Sequence, residues 1–294
     1  MKRKIGLFYN PVAGGGRFKD KLDPVIQYFQ EAGFQVIPWR IRDNEMIVEQ
    51  LKGNDPGKYH TIIAAGGDGT INGVVNAMME YEFTVPLGIF PEGTSNDVAN
   101  YLRIPCRVDE YCRVITEGSL IDIDLGEVNS KYFINVASAG QLTQTAHEVN
   151  YHLKNKWGKL AYYLKAMEKL PKLQSSELRL TVDGGQTYFM EVLLFLILNG
   201  GTAGGFQQIM PEGKMSDGVL DFLAIKAAPI PRLPRLMYHF TRGQHLQDKQ
   251  VFYCQGKQFR LELEPRLITD LDGEKGPDLP WNVQVHPKAL KIRV

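Results

Sequence analysis

Apolar residues recur along the first third of the chain in two alternating rhythms, short unbroken runs and stretches in which they return every three or four positions. Residues 5–9 predict a buried strand, closed by Asn10-Pro11 and the run Gly14-Gly15-Gly16. Leu22, Val25, Ile26 and Phe29 lie at helical spacing within 21–32, and Gly33 stops that helix. The pattern continues with a strand at 34–39, a helix at 45–51, a strand at 59–65, a helix at 71–79, a strand at 86–90, and a turn with a short helix at 94–101. Such alternation predicts an α/β domain with a mostly parallel sheet. Near Asp122 the rhythm changes: 121–128, 132–137, 178–182, 187–198, 219–224, 250–263 and 281–285 predict strands, with helices at 156–170 and 232–241. We therefore expect an α/β domain at 1–120 and a β-rich, sandwich-like domain at 121–294, whose last strand could return to the first.

Composition narrows the class. The 294 residues can bury a sizeable core and are close to the length at which one core becomes two. A net charge of +1 gives no reason to expect a nucleic-acid partner. Cys106, Cys112 and Cys254 form neither a paired framework nor a metal cluster, and His147, His152, His239, His245 and His286 show no ligand spacing. Reduced thiols, the lack of a signal-peptide pattern and an apolar run at 192–198 too short to cross a bilayer suggest a cytoplasmic protein whose membrane contact is peripheral and transient.

Candidate chemistry lies in the turns. Gly66-Gly67-Asp68-Gly69-Thr70 joins a strand to a helix, where glycines admit a ligand to the backbone and the helix N-terminus favours an anion. Asp68 suits a nucleotide hydroxyl or a metal, and Thr70 a phosphate. The spacing is neither GxGxxG nor GxxxxGK[ST], and a plain tight turn uses the same residues. Pro91-Glu92-Gly93-Thr94-Ser95-Asn96-Asp97 reads as a helix cap or a second phosphate loop, and residues 10–14 form a third loop at the same sheet edge. Asp272-Gly273-Glu274 fits either a hairpin turn or a general base beside a second carboxylate. Residues 229–245 combine apolar positions with Arg232, Arg235 and Arg242, which suits a bilayer surface or a helix packed on the sandwich with solvated arginines.

Taken in order, NPVAGG after the first strand, GGDGT after the third and GTSND after the fourth resemble the catalytic domain of the diacylglycerol kinase-like family, most closely its bacterial soluble lipid kinases. Sphingosine and ceramide kinases share the GGDGT element, and it is related to that of NAD kinases and phosphofructokinases. The similarity continues through 135–140, 157–162, 204–206, 216–218 and 272–274. It implies a NAD kinase/diacylglycerol kinase-like fold with ATP in a cleft between the two domains. Asn10, Pro11, Val12, Ala13, Gly14, Gly66, Gly67, Asp68, Gly69, Thr70, Asn72 and Thr94 would hold the nucleotide. Asp272 or Glu274 would be the base, with a slight preference for Asp272. The carbonyls of Lys214 and Val219 and the carboxylate of Asp217 would hold Mg2+, and the family also implies a homodimer. Two departures stand out: Arg40-Ile41-Arg42 where relatives carry a threonine, and Glu92 beside the nucleotide loop. The implied reaction is ATP-dependent phosphorylation of a membrane lipid hydroxyl, diacylglycerol to phosphatidic acid. Alternatives are phosphatidylglycerol or another lipid as acceptor, a NAD kinase-like enzyme, and a catalytically silent nucleotide-binding protein.

Overall fold

Residues 3–140, 175–203, 209–229, 232–265 and 267–294 are described by the computed structural model. They fall into two units, Met1–Leu125 with Pro287–Val294, and Gly126–His286. The helix expected at 156–170 and the segments 157–162 and 204–206 lie outside the described residues.

In the first unit, β1 (Lys4–Tyr9), β2 (Gln35–Arg40), β3 (Tyr59–Gly66) and β4 (Leu87–Pro91) run parallel in the order β4-β3-β1-β2. Ile63 of β3, for example, lies opposite Leu7 on one side and Gly88 on the other. β1, β3 and β4 are buried nearly throughout, as expected where helices cover both faces of a parallel sheet, whereas the edge strand β2 is partly exposed. The connecting helices are α1 (Phe18–Glu31), α2 (Asn44–Leu51), α3 (Asp68–Glu80), α4 (Asp97–Tyr101) and α5 (Val108–Glu117). Asp43 starts α2 by accepting the Met46 N–H, and α1 buries Phe18, Val25 and Phe29. The sequence reading did not include α5. Its signal is Tyr111, Cys112 and Ile115 at helical spacing, all buried, with Asp109 and Glu110 in the first turn where the helix dipole favours them.

β5 (Leu120–Val128) leads into the second unit, which continues with β6 (Lys131–Phe133), β7 (Val136–Gly140), β8 (Ser176–Val182), β9 (Thr187–Leu198) and β10 (Leu220–Lys226). Then follow α6 (Leu233–Thr241), β11 (Val251–Gly256), β12 (Gln258–Glu264), β13 (Thr269–Leu271), β14 (Glu274–Lys275) and β15 (Trp281–Arg293). Antiparallel pairing gives the order β14-β13-β7-β9-β8-β12-β15, and β10 joins β9 to β11. The apolar run in β9 serves two cores. Phe195 and Ile197 pack with Phe222, Phe259 and Trp281, while Leu194, Leu196 and Leu198 face Leu223, Ile225, Leu236 and Phe240.

Two strands expected to be continuous are broken, each by a carboxylate that draws backbone N–H groups out of the ladder. Asp183 Oδ1 accepts from Lys257 and Gln258, both at 2.8 Å, dividing 250–263 into β11 and β12, which pair with different neighbours. Asp272 does the same between β6 and β7.

Candidate active site

Three loops meet at the carboxyl ends of β1, β3 and β4. Asn10 closes β1 with its N–H on Ala65 O, its Oδ1 accepts the Val12 N–H at 3.0 Å, and its Nδ2 lies 3.5 Å from Thr70 Oγ1. Pro11 and Val12 lead into a single 3-10 turn, Ala13–Gly15, with Val12 exposed. Gly14 sits at φ 58°, and a Cβ there would collide with the Glu92 carbonyl. A Cβ on Gly93 would lie 2.5 Å from the Gly67 Cα, so the loops after β3 and β4 touch backbone to backbone. Asp68 ties them together: its Oδ1 accepts the Asp97 N–H at 3.0 Å, at the start of α4. Asn96 makes that turn possible at φ 49°, exchanging hydrogen bonds with the Gly93 backbone. Gly66 packs directly on the Thr70 side chain. Gly67 caps α3 with no side-chain hydrogen bond, and the N-terminus of a helix favours an anion. Gly69 lies in the first turn of α3, Asn72 is buried one turn on, and Thr94 is exposed.

Glu92, the departure beside this loop, is 3% exposed and forms an ion pair at 2.5 Å with Lys21 of α1. The Lys21 ammonium also lies 5.1 Å from the centre of the Phe90 ring. Arg40, the last residue of β2, and Arg42 just beyond it are exposed, and the Ile41 N–H between them bonds to Tyr9 O.

In the second unit, Asp272 and Gly273 form the turn between β13 and β14. Asp272 is 6% exposed at φ 52°. Its Oδ1 accepts from Asn135 and Val136 at 2.9 and 2.8 Å, and its Oδ2 from Ile134 at 2.7 Å. Asp270 Oδ1 accepts the Gly273 N–H, fixing the turn from the other side. Glu274, on β14, is exposed. Asn135 is 3% exposed, and its Oδ1 has no hydrogen-bond partner among the described residues. Asn199 holds the same bend through the Ile134 carbonyl at 2.8 Å.

Lys214, Asp217 and Val219 fall in the turn before β10. Lys214 and Asp217 are exposed, and Asp217 Oδ1 accepts the Val219 N–H at 3.2 Å. Asp221 lies behind them, 4% exposed. Burial pushes its carboxyl up; hydrogen bonds from Tyr253 Oη and Gln255 Nε2 oppose this, and the Asp217 charge adds to the rise. The turn thus offers oxygen donors and an excess of negative charge, the chemistry that suits a hard cation. Among the described residues, no three His, Cys, Asp or Glu side chains converge as a metal cluster.

Residues 4–128 match the family model described as the diacylglycerol kinase catalytic domain, and residues 135–294 the one described as the YegS C-terminal NAD kinase beta sandwich-like domain. The chain is 36% identical over 282 residues to the diacylglycerol kinase of Bacillus subtilis (strain 168), covering 95% of this chain and 92% of that protein. A crystal structure of a diacylglycerol kinase from Bacillus anthracis str. Sterne superposes with a TM-score of 0.80 at 24% identity, covering 99% of this chain and 96% of the other. An NAD kinase from Archaeoglobus fulgidus in complex with ATP shares the fold at a TM-score of 0.55 and 12% identity, covering 99% and 93%.

Proposed function

The chain belongs to the diacylglycerol kinase family, and from that premise we propose that it transfers the γ-phosphate of ATP to the free hydroxyl of diacylglycerol, giving phosphatidic acid. The observation that carries this reading is the meeting of three glycine-dependent loops at the ends of parallel strands, beside the N-terminus of α3. Residues 10–14, Gly66 to Thr70, Asn72 and Thr94 hold ATP in this scheme, with backbone N–H groups facing the phosphates. Asp68 keeps the loops after β3 and β4 in register through the Asp97 N–H.

The base in this reading is Glu274. Asp272 already accepts three N–H groups and has little lone-pair capacity left for a proton, which makes it the anchor of the turn. Glu274 is exposed and free to take the acceptor proton as the hydroxyl oxygen attacks the γ-phosphorus and ADP leaves. The Lys214–Val219 turn fits magnesium, through the Asp217 carboxylate and the carbonyls of Lys214 and Val219. A bound ion there supplies the positive charge that the Asp217–Asp221 pair calls for.

The test is transfer of labelled γ-phosphate from Mg-ATP to a lipid panel in mixed micelles, with NAD+ as a control acceptor. We expect phosphatidic acid from diacylglycerol, and a Glu274→Gln protein slower by about 10²–10⁴-fold. Transfer only to phosphatidylglycerol, a monoacylglycerol or a sphingoid base would replace the acceptor. Transfer to no lipid would overturn the reading.

A further inference from the structure

Residues 226–247 contain Lys226, Arg232, Arg235 and Arg242 and no Asp or Glu, in a chain whose net charge is only +1. The structure gives this charge a direction. Helix α6 turns Leu236 and Phe240 into the core formed with Leu223, Ile225 and Leu198. Arg235, Tyr238 and Arg242 repeat at helical spacing on the opposite face, Arg232 precedes them at the N-cap, and all four are exposed. Tyr238 is 50% exposed, and the Arg242 guanidinium stands 5.5 Å from the centre of its ring. Among the described residues no carboxylate pairs with these arginines; the acid that follows, Asp248, accepts the Gln250 N–H at 3.0 Å and lies 3.2 Å from His239 Nδ1.

We propose that the exposed face of α6 is the surface by which this protein docks on anionic phospholipid bilayers. Guanidinium forks match phosphate oxygens, and a tyrosine set among them has the apolar ring and polar tip that suit the headgroup layer. Leu236 and Phe240 are committed to the core, and the exposed residues are arginines and a tyrosine, so the contact is electrostatic and salt weakens it. The purpose of such a surface rests on the lipid-kinase reading, but its detection does not.

The experiment is co-sedimentation with phosphatidylcholine vesicles, with and without phosphatidylserine, run beside phosphorylation of dioctanoylglycerol in an uncharged detergent. The intact protein binds the charged vesicles and releases them in high salt. Replacing Arg232, Arg235 and Arg242 together by glutamine weakens binding about a hundredfold, roughly fivefold per arginine. Replacement of all three by lysine retains most of the binding, and phosphorylation of the dispersed lipid is unchanged in both variants. Unchanged vesicle binding by the glutamine protein overturns the surface and leaves the kinase standing. Charge-dependent binding without phosphorylation of any lipid does the reverse. A wild-type protein that ignores charged vesicles but is retained by single-stranded DNA overturns the proposal in favour of a nucleic-acid surface.

Discussion

Asp272 and Glu274 lie two positions apart, one carboxylate engaged by the protein's own backbone and the other exposed. Substitution should separate the two roles. Asp272→Ala strands two buried N–H donors and a half-buried third and places alanine at φ 52°, so it should cost about 3 kcal/mol or more, visible as a lowered urea midpoint. Glu274→Gln should leave that midpoint unchanged and reduce kcat, giving the two proteins opposite signatures. The motif reveals both carboxylates, but it does not show which is committed. The donors that engage Asp272 come from 136–138 positions earlier in the chain, beyond the reach of any local pattern. Glu92 is similar: its ion pair with Lys21 spans 71 positions, and the sequence shows only an unexpected acid. The glycines were more legible, because strand-to-helix turns need them for reasons internal to the turn. Gly93→Ala sets a Cβ 2.5 Å from the Gly67 backbone, and we expect kcat/KM for ATP to fall by up to about 10²-fold while the fold survives. Steady-state kinetics at varied ATP would show it.

Elements were readable where periodicity alone decides them. The parallel strands, the helices between them and the long apolar strand β9 all follow from spacing, since burial on one face or two leaves a distinct signature. The failures came where a single side chain overrides the pattern, as Asp183 does at Lys257, or where an element passes without a strong cap, as α5 does. The segment after α6 adds a chemical consequence. His245 is fully buried, stacked on Phe240 at 4.0 Å between ring centres, with Nε2 on the Ile209 carbonyl at 2.7 Å. Burial holds its imidazole below the ordinary value of 6.5; the Ile209 carbonyl opposes this, and His239 adds to the depression. A histidine folded in its neutral form stabilises fully above its unfolded pKa, and that contribution is lost as pH falls. Urea midpoints should therefore decline below about pH 6.5. A His245→Gln protein, less stable at neutral pH, should show a shallower decline. Equal slopes for the two proteins would remove His245 from the account.

At the level of the whole molecule, the first unit is assembled from both ends of the chain. Ile292 lies opposite Leu87 of β4, Val294 N–H bonds to Ser119 O, and Arg293 donates to Gly118 O at 2.9 Å. Lys288 N–H reaches the fully buried Asp124 at 2.7 Å. The change of rhythm near Asp122 can be read from sequence. The destination of the C-terminal strand is harder to read, because apolar Leu290 and Ile292 suit any sheet edge that offers a groove. A chain ended after His286 should lose ATP binding by calorimetry, because the first unit loses the strand beside β4 and the Lys288 N–H to Asp124, while limited proteolysis still returns a resistant fragment from the second unit. This arrangement also orders events in time. Residues 287–294 leave the ribosome after the entire second unit, so at about 5–20 residues per second the first unit waits roughly 8–30 s for its closing strand. A polypeptide released before these residues are made thus leaves β4 as an unpaired sheet edge, open to pairing with another chain.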